Sequence, residues 1–282
     1  MTSRRFTLKA KFVAVLTALF TMAGLAPAAQ AAPSNVVLIG DSIMANPYFD
    51  FADKIQGPGK VSRLAPFDGG CPKGSKRIAV SLQNQIGRPV DDFACNGAVV
   101  YSQESVAKRF STLVDRALRS GKLTRSTTNV VLQVGINDTL KGLDLYENQK
   151  RNYVNSAKRQ VARIRAAAPN AKISFAGYPA IAGEHGMSCW VHFNGVSFPP
   201  VPVFPIRNML NAVHDWQRSA ARATGASFID IERPTWNHGT CAPRNQRWIA
   251  GLIDNDTKPY NMTAHLTHEG NDKVAGIIAR AL

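Results

Sequence analysis

The feature that most constrains the fold is an unbroken apolar run near the start of the chain, which leads directly into Gly40, Asp41 and Ser42. A short apolar run that ends at a glycine is typical of a strand buried on both faces of a parallel sheet. Ligands and catalytic groups in open α/β sheets gather just beyond the carboxyl ends of the strands. Ser42 is therefore a candidate nucleophile, although Gly-Asp-Ser is also ordinary turn chemistry.

The first 31 residues have the pattern of an export signal. Four basic residues are followed by an apolar run over 12–26 and by a small-residue cleavage pattern that ends at Ala31. We expect the folded domain to comprise residues 32–282. The apolar run is too short for a convincing membrane span, and an uncleaved anchor is the alternative. The residues after the Arg-Arg pair fit a twin-arginine signal poorly, so a general secretory signal is the expected route.

The rest of the chain has no internal repeat and is of the size of one α/β domain. Its formal charge of +15 falls to +11 without the signal-like segment, because that segment holds four basic residues and no acidic ones. The excess indicates contact with nucleic acid or with anionic membranes and cell-wall polymers. The basic residues are scattered, and export argues against DNA as a partner. We therefore expect no nucleic-acid partner and a monomer that contacts an anionic envelope peripherally.

Four cysteines, Cys71, Cys95, Cys189 and Cys241, lie in the expected domain. An even number in an exported protein suggests disulfides, and four cysteines allow three pairings. Sequential pairing would close two loop-bearing stretches and stabilise each by about 3 to 4 kcal/mol in the chain-entropy model. Metal binding is the rival, but the chain has no Cys-x-x-Cys pair and no close Cys/His cluster, so we expect no metal site.

Two later segments repeat the pattern of the first strand, because in each a predicted strand ends in apolar residues just before a glycine turn. Val90–Cys95 leads into Gly97, and Asn129–Val134 leads into Asn137. An amide at this sheet edge can donate hydrogen bonds into a site shared with Ser42. The simpler alternatives are a plain Asn-Gly turn and a cap of the following helix by the Asn-Asp pair at 137 and 138.

Apolar periodicity and helix-end signals predict the remaining elements. Two stretches, Ala182–Pro205 and Glu232–Ala264, have no helical or strand period. The first is rich in aromatic residues and prolines, which favours either a disulfide-pinned structural loop or a rim that binds something apolar. The regular elements expected are a short helix over Tyr48–Ile55, helices over Gln103–Ser120, Leu145–Ala168 and Ile206–Thr224, strands over Lys172–Gly177 and Ser227–Ile231, and a last helix that ends at Leu282.

Four separated motifs occur in a fixed order along the chain. They are Gly-Asp-Ser at Ser42, Ala-Cys-Asn-Gly-Ala around Gly97, Gly-Ile-Asn-Asp at Asn137, and His-Leu-Thr-His-Glu-Gly beginning at His265. This set resembles the SGNH (GDSL) hydrolases over nearly the whole expected domain. The resemblance implies a single-domain, flavodoxin-like three-layer α/β/α sandwich with a central parallel sheet.

The resemblance also implies the roles of individual residues. Ser42 would be the nucleophile and His265 the general base, while Ser42, Gly97 and Asn137 would form the oxyanion hole. His265, rather than His268, precedes a glycine by five positions as the family's histidine does. The Ala-Cys-x-Gly-Ala stretch and the cysteine order look similar to those of secreted actinobacterial lipases and esterases, in which sequential disulfides are usual. That likeness implies the pairs Cys71–Cys95 and Cys189–Cys241.

The group that orients His265 departs from the family pattern. The family's aspartate lies three residues before the histidine, whereas position 262 is Met. Some relatives use a main-chain carbonyl, so the carbonyl of Met262 or Thr263 is the favoured candidate. Asp254 or Asp256 folding back is the other option. A carbonyl can fix the imidazole tautomer as a carboxylate does.

The expected reaction is acyl transfer from an ester to water through an acyl-Ser42 intermediate. It needs no metal and no organic cofactor. The expected substrate is a lipid or acyl ester, and the expected location is outside the cell or at its envelope. A deacetylase or acyltransferase acting on envelope glycans or glycolipids is the alternative within the fold, and a non-catalytic envelope-binding protein is the alternative outside it.

Overall fold

Buried apolar runs form the strands of this protein, and amphipathic stretches between them form the helices. The computed structural model describes residues 34–57, 64–68, 70–141, 145–183, 186–202, 204–257 and 259–282. The expected export signal and His185 lie outside the described residues. The strands are β1 (Asn35–Gly40), β2 (Leu64–Asp68), β3 (Cys71–Gly74), β4 (Val90–Asp92), β5 (Thr127–Gln133), β6 (Lys172–Ala176), β7 (Met187–Ser188), β8 (Val191–Phe193), β9 (Val196–Ser197), β10 (Val201–Pro202), β11 (Ser227–Ile229) and β12 (Ile253–Asp254). The helices are α1 (Ser42–Ala45), α2 (Asp50–Gln56), α3 (Ile78–Ile86), α4 (Phe110–Arg119), α5 (Ile136–Lys141), α6 (Tyr146–Ala167), α7 (Phe204–Thr224), α8 (Glu232–Thr235) and α9 (His268–Ala279).

The central sheet has five parallel strands in the order β11-β6-β5-β1-β4. This order is that of flavodoxin-like folds, in which the chain runs from β1 to β4 at one edge and then crosses back to β5 on the other side of β1. The reversal places a crevice beyond the carboxyl ends of β1 and β5, since their connections leave on opposite sides. Ser42 follows β1, and Asn137 follows β5. Both residues therefore belong to the crevice.

Helices cover both faces of the sheet and complete three layers. Val37 and Ile39 of β1 belong to the core cluster that includes side chains of α4 and α6. Val36 and Leu38 point to the opposite face, in the cluster that includes side chains of α1, α3 and α9. All four side chains are fully buried, which is why residues 36–39 of β1 are continuously apolar rather than alternating. The expected three-layer α/β/α sandwich with a central parallel sheet is confirmed.

Some predicted boundaries differ from those of the structure. The helix predicted over Gln103–Ser120 begins only at Phe110, because Arg109 has extended backbone dihedrals, φ −78° and ψ 137°. A short helix, α3, occupies a segment to which the sequence assigned no element. Within the described residues of the stretch predicted to be irregular over Ala182–Pro205, residues 187–202 form the short strands β7 to β10 rather than a structureless loop. These strands have only two or three residues, too few to establish a periodic pattern.

Two disulfides link loops to neighbouring elements. Cys71 at the start of β3 is bonded to Cys95, and Cys189 is bonded to Cys241. Cys95 is fully buried and lies two residues before Gly97, so the first disulfide anchors the loop that carries Gly97. No helix in the described part of the chain is long and apolar enough to cross a membrane.

Candidate active site

Ser42 is the first residue of α1, directly after the turn at the end of β1. Asp41 is the N-cap of this helix, and its Oδ1 accepts a hydrogen bond from the Ile43 N–H at 3.1 Å. Gly40 leaves no room for a side chain, because a Cβ there would lie 2.5 Å from the Met44 Sδ and 2.9 Å from the Gln133 carbonyl oxygen. The glycine and the capping aspartate thus fix the position from which the Ser42 hydroxyl projects.

His265 contacts Ser42 across 223 residues of sequence. Its Nε2 lies 2.9 Å from the Ser42 Oγ, and its Nδ1 lies 2.9 Å from the Thr263 carbonyl oxygen. A carbonyl can only accept, so the hydrogen-bond pattern assigns the ring proton to Nδ1 and leaves Nε2 to accept from the hydroxyl. Burial lowers the pKa of His265, and the hydrogen bond to Thr263 partly opposes that shift. The imidazole is therefore held neutral in the tautomer that a general base needs.

The backbone around Ala264 aims the Thr263 carbonyl at the imidazole. Ala264 has φ +57°, a left-handed conformation that non-glycine residues seldom adopt. The Ala264 N–H donates to the Gly251 carbonyl at 3.2 Å, and the His265 carbonyl accepts from the Ala250 N–H at 3.0 Å. Two backbone hydrogen bonds therefore maintain this unusual turn.

The structure corrects the other candidates for orienting His265. The nearby main-chain acceptor is the carbonyl of Thr263, not that of Met262. Asp254 is fully buried and accepts from the Gly251 N–H and the Thr257 N–H, both at 2.8 Å. Asp256 accepts from the Gly195 N–H at 2.8 Å. Asp254 bonds to its own loop and Asp256 to the turn between β8 and β9, so both carboxylates are engaged away from the imidazole.

Asn137, in the first turn of α5, contacts the loop that carries Gly97. The Asn137 Nδ2 donates to the Ala98 carbonyl at 2.9 Å, so the amide is tied to the residue that follows Gly97. Gly97 has φ +74°, which glycine adopts at no steric cost. Within the described part of the chain, the Gly97 N–H has no hydrogen-bond acceptor. This N–H remains able to donate to a ligand.

Asp138 has a role that the sequence did not reveal. Its carboxylate accepts from the N–H groups of Val100, Tyr101 and Ser102, at 2.8, 3.1 and 2.9 Å. Burial raises the pKa of Asp138, and these hydrogen bonds oppose the rise. The residue therefore holds the loop after Gly97 against the start of α5. Capping of the following helix was the alternative that the sequence offered for Asp138, because local sequence shows only the helix that follows.

His268 does not share the contacts of His265. Its Nε2 lies 2.9 Å from the Asn261 Oδ1, and the Asn261 Nδ2 donates to the Asn46 carbonyl at 2.9 Å. The pair thus ties the His265 loop to the end of α1. Among the residues that the structure describes, no cluster of three or more His, Cys, Asp or Glu side chains is arranged to hold a metal ion.

The strand order is that of flavodoxin-like α/β proteins, and a serine and a histidine are in contact at the switch point of the sheet. The sequence profile of the GDSL-like lipase/acylhydrolase family matches residues 38–273. The chain belongs to this family.

The individual proteins to which this chain is similar have low sequence identity to it. A 113-residue segment is 27% identical to Lipase 2 of Streptomyces coelicolor and covers 40% of this chain. The match spans only 37% of that relative's length.

The fold is similar to that of the extracellular lipase of Streptomyces rimosus, with a TM-score of 0.57 and 17% identity over 88% of this chain and 100% of that one. It is also similar to phospholipase A1 of Streptomyces albidoflavus NA297, with a TM-score of 0.53 and 19% identity over 89% and 99% of the two chains. A family two carbohydrate esterase of Clostridium thermocellum has a TM-score of 0.52 at 14% identity, over 89% of this chain and 64% of its own.

Proposed function

We propose that this protein is a secreted serine esterase or lipase that hydrolyses lipid or acyl esters through an acyl-Ser42 intermediate. The observation that carries the proposal is the line of hydrogen bonds from the Ser42 Oγ through the His265 imidazole to the Thr263 carbonyl, with both contacts at 2.9 Å. Secretion is supported by the signal-like segment and by the two disulfides, which persist in oxidising compartments.

In acylation, the His265 Nε2 removes the hydroxyl proton as the Ser42 Oγ attacks the ester carbonyl. The imidazolium then gives this proton to the departing alkoxide, so the alcohol leaves and the acyl group stays on Ser42. In deacylation, His265 deprotonates a water molecule that attacks the acyl-enzyme. The carboxylic acid is released and the hydroxyl proton returns to Ser42. The Thr263 carbonyl accepts the Nδ1–H throughout and keeps the ring oriented.

Three donors are proposed to bind the oxyanion. The Ser42 N–H lies at the first position of α1, where a helix offers no internal acceptor. The Gly97 N–H lacks an acceptor within the described residues. One N–H of the Asn137 amide donates to the Ala98 carbonyl, and the second can donate to the substrate. Donors that are already fixed before charge develops stabilise the transition state without reorganisation.

Replacing Asn137 with alanine should lower kcat by about 10²- to 10³-fold, the usual effect of losing one oxyanion donor. The KM for a soluble ester should change little, since the hydrogen bond strengthens only as the oxyanion forms. Steady-state kinetics on a chromogenic ester measures both constants. Asn129→Ala, at the opposite end of β5, is the matched control. Equal effects of the two substitutions would contradict the assignment.

The pH dependence of kcat/KM should show an acidic limb centred below the ordinary imidazole pKa of about 6.5. The limb shifts to lower pH because burial lowers the pKa of His265. Only the neutral ring accepts the serine proton. Activity should therefore fall as the pH drops through that lowered value. A pH-rate profile tests this, and a midpoint above the ordinary value would contradict it. Asp41 is the other group that could produce an acidic limb, because burial raises its pKa to about 7. If the limb belongs to His265, it should persist in Asp41→Asn.

The outer face of a small sheet supports the choice of lipid or acyl substrates. The sheet has the order β12-β8-β9, with Phe193 paired with Val196 and Val191 with Ile253. Phe193, Val196 and Ile253 are 45%, 59% and 40% exposed. His192 and Asp254, the neighbouring positions in β8 and β12, are buried. The apolar side of these two strands therefore faces water, the reverse of the usual arrangement. Contiguous exposed apolar surface marks a site of interaction.

A series of esters from acetate to palmitate tests the substrate class. We expect the long-chain esters to be preferred when they are presented as micelles. Phe198 is 56% exposed. The double variant Phe193→Ser/Phe198→Ser should have a kcat/KM on micellar substrate about tenfold lower, because less apolar area is buried on contact. Hydrolysis of soluble acetate esters by the same variant is the internal control. Preference for acetylated glycans would favour the deacetylase alternative, and product acylated on a sugar acceptor would favour the acyltransferase.

A further inference from the structure

A single buried tyrosine contacts the residues that precede both Ser42 and Asn137. Tyr178 follows β6 and is fully buried. Its hydroxyl donates to the Asp41 Oδ2 and accepts from the Ile136 N–H at 3.2 Å. One oxygen atom therefore joins the turn after β1 to the turn after β5.

Each of these contacts controls a group of the proposed site. The second oxygen of Asp41 caps α1, so the orientation of this carboxylate determines where the helix places Ser42. Ile136 is the first residue of α5, and the direction of its N–H is coupled through the backbone to the placement of Asn137. Burial raises the pKa of Asp41, with a smaller contribution from the charge of Asp138, and the Tyr178 hydrogen bond lowers it. The hydroxyl thus also favours the ionised cap.

Tyr178 is held in place by a second set of polar side chains. Its N–H donates to the His214 Nε2 at 2.8 Å. The other ring nitrogen of His214 lies 3.1 Å from the Glu232 Oε2, and Arg207 donates to Glu232 at 2.7 Å. His214 and Glu232 are both buried. A tyrosine fixed at its backbone in this way cannot shift to follow either turn, so its hydroxyl is a rigid spacer.

We propose that Tyr178 is a positioning residue that sets the separation between the nucleophile Ser42 and the oxyanion donor Asn137, by bridging Asp41 and the Ile136 N–H. The inference rests on the proposed function. It adds a residue that touches neither the substrate nor the reacting atoms and that acts through the geometry of both turns. Small displacements of reacting groups have large effects on rate.

The test is Tyr178→Phe, with Tyr153→Phe as the matched control. Tyr153 is also fully buried, and its hydroxyl donates to the Val134 carbonyl at 2.9 Å on the same sheet edge, without reaching Asp41 or Ile136. We expect Tyr178→Phe to lower kcat by about tenfold to a hundredfold with KM nearly unchanged. Tyr153→Phe should leave kcat nearly unchanged, whatever it does to the melting temperature. Equal kcat for the two variants would overturn the inference.

A double-mutant cycle provides a readout that a general loss of stability would not move. If Tyr178 acts through Asn137, Tyr178→Phe should reduce kcat much less in the Asn137→Ala background than in the wild-type background. Simple multiplication of the two effects would overturn the inference.

If Tyr178→Phe alone does not fold, the pair Asp41→Asn and Asp41→Asn/Tyr178→Phe replaces it, because both lack the buried charge. The double variant Asp41→Asn/Tyr178→Phe should then have a lower kcat than Asp41→Asn, and equal kcat values would overturn the inference.

Ser42→Ala distinguishes failure of this inference from failure of the proposed function. If Ser42→Ala is inactive while Tyr178→Phe has a normal kcat, only the positioning role fails. If Ser42→Ala remains active, the proposed mechanism fails and the positioning role fails with it.

Discussion

Replacing Ser42 with alanine is expected to lower kcat for a chromogenic acyl ester by about 10⁴- to 10⁶-fold, the effect of removing the nucleophile of a serine hydrolase. The substitution removes one oxygen atom, whose hydrogen bond is to the His265 Nε2 at 2.9 Å. No acyl-enzyme can then form, whereas the capping of α1 by Asp41 is untouched. The melting temperature should therefore stay close to that of the wild type.

The matched control is Ser81→Ala in α3. Ser81 is also buried, and its hydroxyl has no hydrogen-bond partner in the described structure. Its loss should leave kcat unchanged. An active-site serine reagent should label the wild type and the Ser81 variant but not the Ser42 variant. Turnover by Ser42→Ala at a rate near that of the wild type would refute the nucleophile assignment.

Replacing His265 with alanine should lower kcat by a similar factor, about 10⁴- to 10⁶-fold, because members of a catalytic unit act together rather than additively. Without the imidazole, no group accepts the serine proton near neutral pH. In the double variant Ser42→Ala/His265→Ala, kcat should be no lower than in either single variant. A double variant that loses the product of both factors would contradict a shared mechanism.

His268→Gln is the control for this prediction, since His268 lies three residues away in the same stretch. Its Nε2 contacts Asn261, and a glutamine amide also offers a donor. This variant should retain a kcat close to that of the wild type. A loss as large as that of His265→Ala would mean that the base had been assigned to the wrong histidine.

The strands of the central sheet could be predicted because the information is local, whereas the architecture of the sheet was implied only by the resemblance to a known family. Each of β1 and β5 is a continuous apolar run, and burial on both faces demands such a run whatever the rest of the chain does. The short strands β7 to β10 could not be predicted, because elements of two or three residues depend on their partners for pairing. The start of α4 was predicted too early, because Arg109 has an extended backbone that apolar periodicity does not reveal.

The candidate site divides in the same way. Ser42, Gly97, Asn137 and His265 were recognisable because each lies in a short motif of characteristic residue types. The contributions of Asp138 and Tyr178 were not, because a buried aspartate or tyrosine has no sequence signature of its function. Their contacts join segments separated by more than 30 residues.

The amino-acid sequence by itself determined that this chain forms a parallel sheet with Ser42 just beyond its first strand, because apolar runs and glycine turns act through local backbone preferences. Only the tertiary structure decided what orients His265. The acceptor is the main-chain carbonyl of Thr263, aimed by the left-handed Ala264. Every residue has a carbonyl, so residue identity could not reveal which one faces the ring. That choice depends on backbone dihedrals maintained by hydrogen bonds to a separate loop at Ala250 and Gly251.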